Sequence, residues 1–244
     1  MSLRPATAFT GEDLAPGWNQ ELPGTTIEVV LELDGSWDLD LGGRVTQVGA
    51  FAAGMLAEPV RSRSRGPVRL VQLAVDPLDI PALLGVPAGE LSGAAVALDA
   101  LLGADAGRLY DQLDASSAPA DLAQEWALRR IAGVEPTVPA DIARAIALLK
   151  ASGGALRIEA VAAELGCSRR HLARRFAEWV GVTPSEYRRL IRFEAATDAL
   201  RGAPAQPLGE LAHACGYADH AHMDREFAAL AGATPSAVAA RLQA

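Results

Sequence analysis

Between positions 169 and 192 the chain carries seven arginines against Glu178 and Glu186, a local net charge of +5 in a protein whose total is −8. Guanidinium groups fork onto the paired acceptors of a guanine edge or grip phosphate oxygens, so nucleic-acid binding would concentrate in this segment. A solvated helix face explains the same arginines unless a second signal joins them. Other chemistry finds less material. His220-x-His222 lacks a third ligand nearby, so no metal is expected. Cys167 and Cys215, each beside a glycine, suit small core positions better than redox work. Residues 1–135 hold no His, no Cys, no glycine-rich phosphate loop and no G-x-S-x-G elbow. A two-carboxylate site is the one catalytic arrangement left open to them, and the expectation is no catalytic residue and no cofactor.

The second signal is a repeat. Ala162, Gly166 and Leu172 have helix-turn-helix spacing: a small residue where two helices approach, a glycine for the turn, and a leucine locking the second helix onto the first. Phe176-x4-Gly181-x-Thr183-Pro184-Ser185 returns 51 positions later as Phe227-x4-Gly232-x-Thr234-Pro235-Ser236. The same shift aligns Ser168 with Asp219, two good N-caps, and His171 with His222, Leu172 with Met223 and Arg174 with Arg225. Ala162 and Gly166 match Ala212 and Gly216 at a shift of 50, so the second turn is one residue longer. Between the copies a helix is expected over Ser185–Arg201, ended by Gly202-x-Pro204. The pattern specifies two helix-turn-helix units joined by one long helix.

On these residues, 141–242 resembles the DNA-binding domain of the AraC/XylS family of bacterial transcription regulators. The matching text is Leu165-Gly-Cys-Ser-Arg-Arg-His-Leu-Ala-Arg-Arg-Phe176, Tyr187-Arg188, Ala214-Cys-Gly-Tyr-Ala-Asp219, Arg225-Glu-Phe227 and Gly232-x-Thr-Pro235. The resemblance implies that each second helix enters a major groove of double-stranded DNA. By position, Arg170, Ala173 and Arg174 in the first unit and His220, Ala221, Asp224 and Arg225 in the second would face bases. Arg169, Arg175, Arg188 and Arg189 are better placed for phosphates. The two alanines offer apolar contact alone, and Asp224 would accept from cytosine or hold Arg225. The first reading segment, Ser168–Val180, is +3 and the second, Asp219–Ala231, is −2, so the first should supply most of the affinity. Leu83-Leu-Gly-Val-Pro-x-Gly-Glu-Leu91 resembles the short sensor-like domains fused to such readers. The absence of Cys from this half sets aside the family's zinc-bearing repair relatives.

The elements that must position these residues follow from periodicity. Thr26–Leu41 alternates apolar and polar around Asp34-Gly35, the pattern of a β-hairpin, and Val68–Val75 reads as a further strand. Leu98–Leu102, Leu109–Leu113 and Asp121–Ile131 have helical spacing, as does Ile142–Leu149, which stops at Ser152-Gly153-Gly154. The expected fold is an α+β N-terminal domain with a small sheet over 1–135, a linker at 136–140, and an all-α tandem helix-turn-helix domain over 141–244. Trp18 and Trp37 suit core packing better than an effector pocket. Net charge divides sharply: residues 1–140 sum to −10 and residues 141–244 to +2. With 50% apolar residues and 21% charged, the chain is no disordered tail or coiled-coil rod, and it lacks a bilayer-spanning apolar run. Met1-Ser2-Leu3-Arg4-Pro5 has no hydrophobic signal region and two cysteines suit a reducing compartment, so a cytoplasmic protein is expected. The leading reading is a sequence-specific regulator whose N-terminal domain modulates DNA binding through a small-molecule effector or homodimerisation, with RNA polymerase as a further partner. The alternatives are a ligand-binding protein or enzyme with a vestigial helical tail, and an acidic N-terminal domain that binds another protein.

Overall fold

The computed structural model describes residues 7–10, 17–135, 137–202 and 207–243; Pro204 of the expected helix stop and Pro136 of the expected linker lie outside them. The N-terminal half is α+β, with its strands divided between two antiparallel sheets. The first has the order β1 (Thr7–Thr10), β8 (Arg69–Val75), β3 (Ile27–Asp34), β6 (Phe51–Ala53), β9 (Ala95–Ala97). The second has the order β2 (Asn19–Glu21), β7 (Val60–Ser64), β4 (Trp37–Leu41), β5 (Arg44–Val48). On β3, Ile27, Val29 and Leu31 face the helical core, while Val30 joins Trp37, Leu39, Phe51 and Leu70 in a second cluster between the sheets.

Asp34-Gly35 is therefore not a hairpin turn. β3 pairs with β6 and β8, and β4 pairs with β5 and β7, so the chain crosses here from one sheet to the other. Alternation fits this arrangement equally well, because each run buries one face against different partners. The hairpin that does form joins β4 to β5 through Gly42-Gly43. Leu41 pairs with Arg44 and both glycines have positive φ, 62° and 86°, as a two-residue turn matched to strand twist requires.

Helices α1 (Ile80–Leu84), α2 (Leu98–Leu102), α3 (Ala104–Asp114) and α4 (Pro119–Ala132) complete this half. The second half is helical: α5 (Ala140–Ala151), α6 (Ile158–Glu164), α7 (Arg169–Val180), α8 (Pro184–Gly202), α9 (Leu208–Ala214), α10 (His220–Ala231) and α11 (Pro235–Leu242). One apolar core runs from Ile27 and Leu73 through Leu83 and Leu109 to Phe176, Tyr187 and Phe227, joining both halves. The halves dock through hydrogen bonds across the boundary: Thr25 Oγ1 donates to Glu194 at 2.7 Å and Ser92 Oγ to the Gly181 carbonyl at 2.6 Å.

Candidate nucleic-acid interface

Two helix pairs, α6–α7 and α9–α10, carry the expected spacing. Ala162 and Ala212 are buried where the helices meet, and Leu172 and Met223 lock the second helix of each pair. The turns hold Gly166 and Gly216 at φ 64° and 77°, and the residue after each donates its N–H to Ala162 or Ala212 at 2.9 Å. Four residues separate α6 from α7 and five separate α9 from α10, the longer second turn expected from the changed shift. Ser168 caps α7 by accepting from His171 N–H, and Asp219 caps α10 by accepting from His222 N–H.

The 19-residue α8, about 28 Å long at 1.5 Å per residue, mounts both units. α7 rests on its start, where Phe176 and Tyr187 meet edge to face at 5.5 Å. α10 rests farther along, with Phe227 against Phe193 at 4.6 Å. Beside that contact, the buried Arg192 places Nη2 2.9 and 3.0 Å from the two Glu226 carboxylate oxygens, and its Nη1 donates to the Gly154 carbonyl at 3.3 Å. Arg189 adds an Nε bond to Glu226 at 3.2 Å, and Tyr217 lies under the Arg192 guanidinium at 5.5 Å. A buried charge pair needs this many partners to offset its desolvation.

The arginines of 169–192 thus divide. Arg170 and Arg174 are exposed; Arg174 reaches Glu178 only at 3.9 Å, and Arg170 has no ion pair among the described residues. Arg169 is exposed and bonded to Glu159 at 2.6 Å. Arg175 is held by Asp141 at 2.8 Å, Arg188 donates to the Gly154 carbonyl at 3.0 Å, and Arg189 is held by Glu226. Burial, and after it the neighbouring Arg192 charge, lower the Arg188 pKa from its ordinary value.

In the second unit His220, Ala221 and Arg225 are exposed. Asp224 does not hold Arg225: its carboxylate lies 3.3 Å from His220 Nε2, one helical turn back. Glu226 points inward, so Arg225 has no ion pair among the described residues and the −2 count overstates the acidity presented to DNA. Ala173 is half-buried beside Arg174. His222 accepts the Ala218 N–H at Nδ1 and turns Nε2 to within 3.5 Å of Glu226, a structural role. The thiols of Cys167 and Cys215 pack on the core, and burial pushes the Cys215 pKa up.

Sequence reasoning missed Arg192, Glu226 and Gly154, although the repeat could have found them: Glu226 stands where the first copy has Arg175. It also missed a cavity of about 500 Å³ between the two sheets, walled by Val30, Trp37, Leu39 and Phe51 with Glu21 and Glu28 among its polar groups. Trp37 belongs to the inter-sheet core and lines this cavity as well; Trp18 lies outside, 36% exposed, under the Arg61 and Arg63 guanidinium groups. Glu21, exposed at the end of β2, lines the cavity and accepts a hydrogen bond from the Ser62 hydroxyl. On the other face of β4, Asp38 is fully buried between Arg63 and Arg65, whose hydrogen bonds hold it below the usual carboxylate range.

Residues 161–241 match the helix-turn-helix domain family. No curated protein sequence matches the chain. Among solved structures, ToxT from Vibrio cholerae is similar over 100% of both chains, with a TM-score of 0.55 at 12% identity. ToxT from Vibrio cholerae O395 bound to (E)-4-(8-methylnaphthalen-1-yl)but-3-enoic acid is similar over 99% of this chain and 100% of that one, with a TM-score of 0.52 at 13% identity. The fatty-acid-bound ToxT from strain SCE256 is similar over 96% and 94%, with a TM-score of 0.51 at 12% identity. At such identities the likeness establishes the fold, an α+β half followed by a helical half. Within the helical half, residues 161–241 form a helix-turn-helix domain, the kind of element that enters a DNA groove.

Proposed function

We propose that one chain reads an asymmetric DNA segment through α7 and α10 together, and that a small molecule in the inter-sheet cavity modulates this reading. Support for the first part comes from two equivalently capped helices mounted on one α8, each presenting an arginine free of hydrogen-bonded carboxylates, Arg174 and Arg225. Linking two readers in one chain removes the need for a dimer to cover two grooves. Arg170, Ala173 and Arg174 face bases in one groove and His220, Ala221, Asp224 and Arg225 in the next, with Arg169 on phosphate. Footprinting the full chain tests this reading. One protomer should protect about two helical turns without internal symmetry; protection of perfect palindromes alone, always by two chains, would refute it.

The cavity suits a largely apolar effector oriented by a few polar groups. The ToxT structures that hold a naphthalenyl butenoic acid and an unsaturated fatty acid support looking for one here. Small apolar acids are the first probes. A probe that binds in the cavity raises the melting temperature and shifts DNA affinity, and Leu39→Trp, which fills the space, removes both effects.

A further inference from the structure

The repeat reaches farther back than its helix-turn-helix core. A shift of 51 also lays α5 on α8: Ile142 falls on Phe193, Ala145 on Ala196, Ile146 on Thr197 and Leu149 on Leu200, all eight buried. Each unit therefore has three helices, α5–α6–α7 and α8–α9–α10, and the first helix of each supports the reading helix. In this layer one feature changes sign. Asp141 falls on Arg192 and Arg175 falls on Glu226. Both pairs are formed, Asp141 to Arg175 at 2.8 Å and Arg192 to Glu226 at 2.9 Å, so the same bridge is built twice with its charges exchanged.

We propose that Asp141–Arg175 and Arg192–Glu226 are equivalent positioning pairs of opposite polarity, which set the rotation of each reading helix and prevent the two units from exchanging supports. The rotation follows from sequence adjacency. Arg175 and Glu226 each directly follow an exposed arginine, Arg174 and Arg225, so pinning one side chain inward turns its neighbour outward. Prevention of exchange follows from Coulomb repulsion. α10 seated on α5 would set Glu226 against Asp141, and α7 moved from the start of α8 to the seat of α10 farther along it would set Arg175 against Arg192; both are like-charge contacts in a part-buried layer. The apolar positions discriminate in part, since Phe193 and Thr197 stand where α5 has Ile142 and Ile146, and the charges add to that discrimination. Misassembly of this kind is a characteristic failure of repeated units.

The inference rests on α7 and α10 being the reading helices, and the experiment separates the two ideas. Base-preference profiles are measured for the full chain as wild type, Arg174→Ala, Arg175→Glu and the double change Asp141→Arg with Arg175→Glu, alongside thermal unfolding. Arg174→Ala should erase preference at bases read by α7; if it changes nothing, the reading assignment fails, not the pairing. Given that control, Arg175→Glu should cut preference at those bases at least tenfold and spare those read by α10. The double change has the wild-type net charge and should recover to within about threefold. A wild-type profile for Arg175→Glu, or no recovery in a double variant that unfolds at the wild-type temperature, would overturn the positioning role. Should Arg175→Glu not fold, the milder Arg175→Gln and Asp141→Asn replace it: each alone should weaken preference and together they should cost no more than either, while additive losses would overturn the coupling. The double change also gives both units the same polarity, so refolding it should yield an exchanged oligomer by size-exclusion chromatography that wild type does not form. Refolding to the wild-type species alone would overturn the sorting role.

Discussion

Gly89 lies where the N-terminal half touches the reading domain. It sits in the short turn Ala88–Leu91 against the carboxyl end of α7, and a Cβ placed on it would lie 2.0 Å from the Glu178 carbonyl oxygen and 2.6 Å from that of Ala177. Its φ is not positive, so the backbone accepts a side chain and the conflict is with the neighbouring helix alone. Carbon–oxygen contacts settle at roughly 3.3 Å or more, so Gly89→Val must push the halves apart by about 1.3 Å at this point. The Ser92 bond to the Gly181 carbonyl, 2.6 Å long, does not survive that displacement, and the packing around Ala88 and Leu91 loosens. Overpacking of this kind costs about 1–3 kcal/mol. Urea unfolding should register that loss, with Gly89→Ala in between and Gly107→Ala, whose added Cβ meets nothing within 4 Å, as the control. Fluorescence anisotropy should register a second effect. Loosening a half with net charge −10 from the reader should raise DNA affinity at low salt by about fivefold or more, the lower end of ordinary coupling between sites. Wild-type stability and wild-type affinity in Gly89→Val would refute the coupling.

Three further outcomes are expected. Burial, aided by the Asp34 charge, raises the Glu32 carboxyl to about 7, so the native state holds a proton that the unfolded chain releases near pH 4.5; stability falls as pH rises between these values. Glu32→Gln should therefore gain on wild type in urea midpoint at pH 8 and match it below pH 4.5, and a gap that does not widen with pH would count against this account. Ser168→Ala and Asp219→Ala should each destabilise by about 1 kcal/mol through loss of a helix cap, measured by thermal unfolding, and unchanged midpoints would show that the caps contribute nothing. Arg225→Ala should relax base preference about as much as Arg174→Ala, each by roughly 1–3 kcal/mol at one position, since neither arginine is hydrogen-bonded to a carboxylate; a silent Arg225→Ala would remove it from the reading face.

Legibility in the sequence followed the kind of interaction involved. Local rules exposed the reader: the Ser168 and Asp219 caps, the turn glycines and the locking residues act within a few positions, and their recurrence 51 residues on made each visible twice. The sheets were harder. β5 and β7, read as Arg44-Val-Thr-Gln-Val and Val60-Arg-Ser-Arg-Ser, have little apolar alternation because they receive order from β4, through backbone pairing and through Asp38 and Asp40 holding Arg61, Arg63 and Arg65. Asp34-Gly35 misled because alternation records which face is buried and not which strand lies alongside. The cavity was hidden for the same reason, since its walls come from strands paired only in three dimensions. Arginine count misled differently: charge is visible in sequence, whereas the side chain that neutralises it is not.

That distinction can be measured through salt. If all seven arginines of 169–192 met phosphate, counterion release would give log K against log salt a slope of about −6.3, at 0.9 per neutralised phosphate. The structure removes Arg175, Arg189 and Arg192 to carboxylates, and Arg188 to a carbonyl, each at 3.2 Å or less. Arg169 has Glu159 at 2.6 Å. Arg170 and Arg174 remain, joined by the exposed Arg157 ahead of α6 and by Arg225 on α10, four guanidinium groups without a hydrogen-bonded carboxylate among the described residues. A guanidinium group on a base edge lies in the groove between phosphates and displaces condensed cations as one on a phosphate does, so four such charges give a slope of about −3.6. Breaking the exposed Arg169–Glu159 pair to reach a phosphate would add at most one contact, because such pairs contribute little either way. Titrations from 50 to 200 mM salt therefore discriminate between the two counts. A slope of −6 or steeper would mean that the internal pairs open on DNA, and with them the packing of α7 and α10 on α5 and α8; a slope between −3 and −5 means that the reading heads bind as they are folded here.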